Sequence, residues 1–347
     1  MTRALLLTLM LSGCWKLERT EIPDGVVSFA PAANPSLEDW TVTEIELDLE
    51  CPDGANSRLY VVHPASVDGP MPAAVLYHSG SFDFVSAPNA ADPTGGAHLQ
   101  DPPRLNSEWG VRMAYATLGM YPPPLNGEVH EGALPAALAD AGVAMVLPVN
   151  CWGDLWHNEP GAADNDFEAD LFFRSGRVSA EWGYRLLAEP LFAEAIGADL
   201  PFEPDPDALY AIGLGEGGRA VGELLAIDDD GDGTPDYAPR AIAVDSMIDD
   251  IARLPEAQPA TAAGIDRIFQ GEYSGGLRGI SRLPPTVFVH SPVDAVIPSG
   301  SNDSILSKLE TNPDKHRIIE GIAALHVLSN ADVQIASDVV DFLLAAE

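Results

Sequence analysis

The chain has 347 residues, of which 53 are acidic and 18 basic; the formal net charge is −35 and 46% of residues are hydrophobic. That is enough apolar material for a sizeable core, in one large domain or two modest ones. The charge argues against nucleic acid as a partner, because phosphate binding needs basic patches, and an anionic membrane surface repels such a chain. Solubility, cation binding or a salty habitat each account for the acidic excess.

The N-terminus reads as an export signal. Met1-Thr2-Arg3 is a short basic start and Ala4 to Met10 is an apolar run. The run is too short to span a bilayer, which takes about 20 apolar residues. Leu11-Ser12-Gly13-Cys14 follows at once and resembles the lipobox of bacterial lipoproteins. The resemblance implies cleavage after residue 13 and a lipid on Cys14, so that the protein is exported and held at the cell envelope by that anchor alone. Residues 14–38 then form a polar, proline-containing tether, and 39–347 the folded domain. Export implies an oxidising compartment, in which Cys51 and Cys151 are either a disulfide or two separate thiols.

Beyond the tether the predicted elements alternate. "WTVTEIELDLE" (40–50) has the polar–apolar alternation of a half-buried strand, "CPDGANS" is a turn and "RLYVVHPA" a second strand. "PAAVLYHSGS" is a continuous apolar strand running into a polar loop. A long insertion from Phe82 to about Gly132, rich in Pro, Gly and Asn, follows it; loops of that length are usually functional or lids. "LPAALADAG" is a short helix and "VAMVLPVN" a buried strand. Asp166 to Glu189 has helical spacing. "DALYAIGLG" is a strand entering a glycine-rich turn, and "GGRAVGELLAI" the helix leaving it. "PRAIAVDSM" and "PPTVFVHSPVD" are two more buried strands, "HRIIEG" a short last one, and Asp332 to Ala346 the closing helix. Short apolar strands alternating with helices call for a mostly parallel sheet covered on both faces.

In such sheets reactive groups gather beyond the carboxyl ends of the strands. Four ends are notable: His78-Ser79-Gly80-Ser81, the turn at Gly215, Asp294 in "HSPVDAVIP", and His326 in "IAALHVLSN". The turn Gly213-Leu214-Gly215-Glu216-Gly217 has the spacing of G-x-S-x-G with glycine in the serine slot. Placing Glu216 in that slot instead puts Leu214 at a flanking position that requires a small residue.

The order elbow, acid, histidine and these contexts resemble the α/β-hydrolase superfamily, in its dienelactone-hydrolase, esterase and peptidase-like branch. The resemblance covers most of the chain from Trp40 onward. It implies an α/β-hydrolase fold: a mostly parallel eight-stranded sheet flanked by helices, with a long insertion after the third strand. It also implies roles. His326 is the base, Asp294 orients its ring, and Glu216 with Ser79, Gly80 and Ser81 supplies the oxyanion-hole N–H groups. Gly215 is then a vacant nucleophile position. The expectation is a degenerate serine hydrolase acting by binding a small molecule or peptide. The alternative is a weak esterase or peptidase in which His326 activates a water molecule. A third class, a structural or carbohydrate-associated surface lipoprotein, leaves the triad likeness as a remnant.

The same resemblance sets the first, second and fourth strands side by side with the second antiparallel. Cys51 and Cys151 then fall at one edge of the sheet, and a disulfide between them has to cross two strand spacings, about 10 Å. In "VNCWGDLWHN", Trp152 and Trp156 either pack under the insertion or face a substrate, with Asp154 and His157 beside them.

One further motif stands apart. "DDDGDGTPD" (228–236) fits D-x-D-x-D-G-x-x-D through Asp228, Asp230, Asp232, Gly233 and Asp236, with Thr234 as a further oxygen donor. Alternating oxygens of this kind converge on a hard cation, and calcium is the expected one. The loop resembles those of EF-hand, dockerin and thrombospondin type 3 modules. Pro239 occupies the twelfth position, where an EF-hand has glutamate. The other reading is a solvated acidic turn.

Overall fold

The computed structural model describes residues 18–20, 37, 39–50, 56–66, 68–78, 114–119, 132–149, 181, 183–195, 200–215, 217–228, 232, 234–247, 276–294, 300, 302–322 and 327–346. The strands are β1 (Glu18–Thr20), β2 (Trp40–Glu50), β3 (Asn56–Pro64), β4 (Met71–Tyr77), β5 (Ala144–Pro148), β6 (Pro204–Leu214), β7 (Ala241–Asp245), β8 (Thr286–His290) and β9 (His316–Glu320). They form one sheet in the order β1-β2-β3-β5-β4-β6-β7-β8-β9. From β5 to β9 every neighbour pair is parallel; β3 runs antiparallel to both β2 and β5. The eight strands read from the sequence are all present. The ninth, β1, pairs antiparallel with β2 through Glu18↔Glu46 to Thr20↔Glu44, so part of the expected tether joins the sheet edge.

Each strand sends alternate side chains to opposite faces. On one face Val61, Val75, Val146, Ala211, Val244 and Phe288 pack with Tyr184, Leu187, Val221, Leu224 and Ile305. On the other, Val62, Leu76, Met145, Ile212, Ala243 and Val289 pack with Leu134, Leu138, Val339, Val340 and Leu343. With both faces covered, β5 and β7 are buried at every position and β4 at all but one, which is why they read as continuous apolar runs.

The closing helix, Val333–Ala345, starts where Asp332 accepts hydrogen bonds from the N–H groups of Gln334 and Ile335 at 2.8 and 3.1 Å. The helix Asp303–Glu310 is not among the elements read from the sequence. It is short, and its apolar stripe at Ile305 and Leu309 buries against the sheet. The insertion is not wholly a surface loop. Ala114, Tyr115, Thr117 and Leu118 are buried, with the Tyr115 ring 4.9 Å from that of Tyr60. Asn330 Nδ2 donates to the Thr117 carbonyl at 3.2 Å.

Candidate active site

The elbow is built by close backbone approach. β6 ends at Leu214, Gly215 turns the chain at φ 53°, and a helix begins at Gly217. The Gly215 N–H donates to the Asp245 carbonyl at 2.7 Å, and the Gly218 N–H to the Gly215 carbonyl at 3.1 Å. A Cβ on Gly213 would collide with the Gly217 carbonyl, and one on Gly217 with the carbonyl of Tyr77. A Cβ on Gly218 would lie 2.7 Å from side-chain atoms of Val244 and Met247. Helix, β4 and β7 therefore close on the turn so tightly that only glycine fits at these flanks. The positive φ at Gly215 is the left-handed conformation that a residue with a Cβ enters only under strain.

The helix after the elbow carries a buried ion pair. Arg219 Nε lies 3.8 Å from Glu223 Oε1, with the two side chains 4% and 7% exposed. Beneath it, burial pushes the Tyr77 hydroxyl well above its ordinary range, helped by Tyr184 and the Glu223 carboxylate. Burial also raises Tyr184, whose ring meets Tyr237 edge-on at 5.9 Å. These tyrosines stay neutral and pack in the core on this face of the sheet.

Asp294 lies four residues beyond the end of β8 and is half-buried. A small turn sets it there: the Val293 N–H donates to Ser291 Oγ at 3.2 Å, and the Asp294 N–H to the Ser291 carbonyl at 3.2 Å. Gly215 and Asp294 thus both stand at the carboxyl-end edge of the sheet, on strands separated only by β7. Val293 and Ile322, beyond β8 and β9, are exposed there. His326, Ser79, Gly80, Ser81 and Glu216 lie outside the described residues; His78 and Val327, their neighbours, are buried.

The end of β7 holds residues that sequence reasoning did not single out. Asp245, 2% exposed, accepts at Oδ2 from the Ser329 N–H and the Ser329 hydroxyl, both at 2.6 Å. Its Oδ1 accepts from the Ser246 hydroxyl at 2.8 Å. Ser246 Oγ in turn accepts from the Val327 N–H at 3.0 Å. Ser246 and Val327 are the two described non-glycine residues with positive φ, 54° and 57°. For β-branched Val327 that conformation costs on the order of 1–3 kcal/mol, which the surrounding bonds must supply. The signal in the sequence was an Asp-Ser pair directly after a buried apolar strand.

The antiparallel β3, the β5-β4 exchange in strand order and the tight turn after β6 decide the architecture. The fold is that of the α/β-hydrolases. No family model matches the chain, and no curated protein matches it in sequence. Solved structures similar to it include a dienelactone hydrolase-like promiscuous phosphotriesterase from metagenomic libraries, at 13% identity, covering 89% of this chain and 99% of that one, TM-score 0.45. A thermostable esterase from Pseudomonas putida is similar at 14% identity, with 93% and 88% covered and TM-score 0.47. Prolyl oligopeptidase B from Galerina marginata is similar at 14% identity, with 89% of this chain but 37% of that one covered, TM-score 0.48. Likenesses this loose carry no activity over to this chain, and the hydrolase fold stands on its own strand order and elbow.

The cysteines Cys14, Cys51 and Cys151, and Trp152, Asp154, Trp156 and His157, lie outside the described residues. The strands flanking the cysteine pair do lie in the order β2-β3-β5, with Glu50 opposite Asn56 and Leu59 opposite Pro148. In the acidic loop, the Asp232 N–H donates to Asp228 Oδ1 at 3.1 Å and the Thr234 N–H to Asp232 Oδ1 at 2.7 Å. The Asp236 N–H donates to the Ile227 carbonyl at 2.8 Å, closing the turn; Asp230 and Gly233 lie outside the described residues. Among the described residues no cluster of three His, Cys, Asp or Glu side chains is arranged to hold a metal, and no helix is long and apolar enough to cross a membrane.

Proposed function

We propose that this chain is a hydrolase-fold protein in which Gly215 stands in the nucleophile slot, so that it binds a ligand where its fold would otherwise transfer an acyl group. The observation that carries the reading is the φ of 53° at Gly215, between flanking glycines that admit no Cβ. The turn is similar to the strand-to-helix elbow that presents a nucleophilic serine under strain; glycine relaxes that strain and presents no side chain. Removing a nucleophile costs on the order of 10⁶ in rate, so acyl transfer is not sustained. The ligand is a small molecule or peptide, and exposed Val293 and Ile322 at the same edge favour one with an apolar part. In this reading the protein is exported and tied to the envelope through Cys14.

The second reading keeps slow hydrolysis. Asp294 stands at the strand end where an orienting acid is needed, and a water in place of the missing Oγ gives His326 a proton to take. Turnover of p-nitrophenyl esters by the purified protein and by His326→Ala separates the two. Equal rates leave binding as the function; a rate that depends on His326 establishes the water mechanism.

A further inference from the structure

We propose that β9, at the edge of the sheet, pairs antiparallel with β9 of a second copy of this chain, joining the two sheets across a two-fold axis at Ile318. The pairing makes no use of the elbow. β9 ends the strand order, and among the described residues no strand pairs with its outer side. Its backbone groups alternate in direction. The Gly321 N–H donates to the His290 carbonyl of β8 at 2.8 Å, so Gly321, Ile319 and Arg317 turn their N–H and carbonyl groups inward. Ile318 and Glu320 turn theirs outward. His316 also faces outward; its N–H is held by the Asn312 carbonyl at 3.0 Å, which leaves its carbonyl as an acceptor. Sheet edges are commonly blunted by shortness, proline or a bulge. The opposite edge, β1, is three residues long. β9 has no proline, and its register with β8 runs from Thr286↔His316 to His290↔Glu320 without a bulge.

The strand is complementary to itself in this register. Ile318 exchanges both of its backbone bonds with Ile318 of the second copy, and each Glu320 N–H meets the other chain's His316 carbonyl, so no existing bond is broken. His316 then stands opposite Glu320 of the second copy, and the reverse. Burial, Lys315 and Lys308 all lower the pKa of His316, so the amino end of β9 is its basic end. Glu320, exposed, is its acidic end. Antiparallel pairing sets each basic end against an acidic one, whereas a shift of two residues sets Ile318 against Glu320. Half-buried Ile318, which packs on the core, meets its own copy on the same face. A net charge of −35 opposes self-association over most of the surface. From Gly276 to Glu320, however, five basic residues balance five acidic ones, so the whole excess lies elsewhere in the chain. The helix Asp303–Glu310 packs beside β9 on one face through Ile305 and Leu309, and the closing helix is tied to β9 on the other by Arg317 and Asp338 at 3.3 Å. These helices extend a five-residue ladder that is small beside the roughly 1,200–2,000 Å² of stable interfaces.

The test is sedimentation equilibrium of the purified protein from micromolar to millimolar concentration at physiological salt, with amide hydrogen exchange read at single residues. The expected result is a two-chain species at the upper end. As it forms, the Ile318 and Glu320 amides become protected, while those of Arg317 and Ile319, bonded to β8, are protected throughout. Glu320→Lys, at an exposed position, sets a lysine against His316 and Lys315 of the second copy and weakens association about tenfold, because the two-fold repeats the pair. Adding His316→Glu to that variant reverses both charges and restores association. Ile318→Pro removes an outward N–H, spares the bonds to β8 and abolishes the dimer, with circular dichroism reporting that the fold is kept. A monomer at every concentration overturns the proposal. So does a dimer whose Ile318 and Glu320 amides exchange freely, which assigns the contact to another face. Protection of those two amides in a monomer assigns the edge to another segment of this chain and overturns it as well.

Discussion

Restoring a side chain at Gly215 is the most direct challenge to the account. Gly215→Ser places a Cβ on a residue at φ 53°, which costs about 1–2 kcal/mol in the left-handed region. Against this, loss of glycine's freedom in the unfolded chain returns about 0.4–1 kcal/mol. The net backbone cost is at most about 1.6 kcal/mol, which at an unfolding entropy of about 2.1 cal/mol/K per residue lowers the melting temperature of a chain of this size by about 2 °C. The variant therefore folds, and its chemistry can be read. In the proposed geometry its hydroxyl reaches His326 and reacts with a fluorophosphonate probe, whereas the parent does not. General-base assistance is worth roughly 10²–10⁴ in rate, so adding His326→Ala to the variant slows labelling by that factor. Full esterase activity is not required, since the rest of the site is free to have drifted. A folded Gly215→Ser that takes no label, or takes it at a rate indifferent to His326, refutes the assignment of Gly215 to the nucleophile slot.

Other outcomes follow from particular contacts. Gly217→Ala drives a methyl into the Tyr77 carbonyl and destabilises by about 1–3 kcal/mol or more, whereas Gly279→Ala, with open space around it, is neutral or slightly stabilising; equal melting temperatures would contradict the packed elbow. Burial lowers the pKa of His290, an effect opposed by Glu320 and Asp245. Its contribution to stability is therefore present above its ordinary value near 6.5 and lost as pH falls through the lowered one, so His290→Gln flattens the decline in melting temperature on acidification below pH 6.5. Thiol titration of unfolded, unreduced protein finds no free thiol from Cys51 and Cys151 if they are bonded, and two if they are not. The calcium expectation for Asp228–Asp236 is met by measurable heat on titration at millimolar calcium, lost in Asp228→Asn with Asp232→Asn, and fails if no heat appears.

Much of the architecture was written in local pattern. Unbroken apolar runs such as Ala144–Pro148 and Ala241–Asp245 announce strands buried on both faces, because neither face has a polar partner to display. Gly213, Gly215 and Gly217 announce a tight turn because the frame is short and its residues are consecutive in the chain. The position of Asp294 at the carboxyl end of a strand was legible for the same reason, since it lies just past such a run. The short amphipathic helix Asp303–Glu310 was not, since eight residues give its period too little length to show.

What tertiary structure alone decided lies in contacts between distant residues. That Gly217 has no room for a side chain depends on the carbonyl of Tyr77, 140 positions away in sequence and on another strand. That Ala114 to Leu118 belong to the core, although they sit within an insertion rich in turn formers, depends on the exposed face of the sheet they cover and on Asn330. That Glu18–Thr20 pairs with β2 depends on an open sheet edge that no pattern of three residues announces. Asp245 is the clearest instance. In the sequence it is one acid among 53, and only the folded chain sets its carboxylate against Ser329, 84 positions on. Periodicity records which way a side chain faces; it carries no information about which distant residue it will meet there.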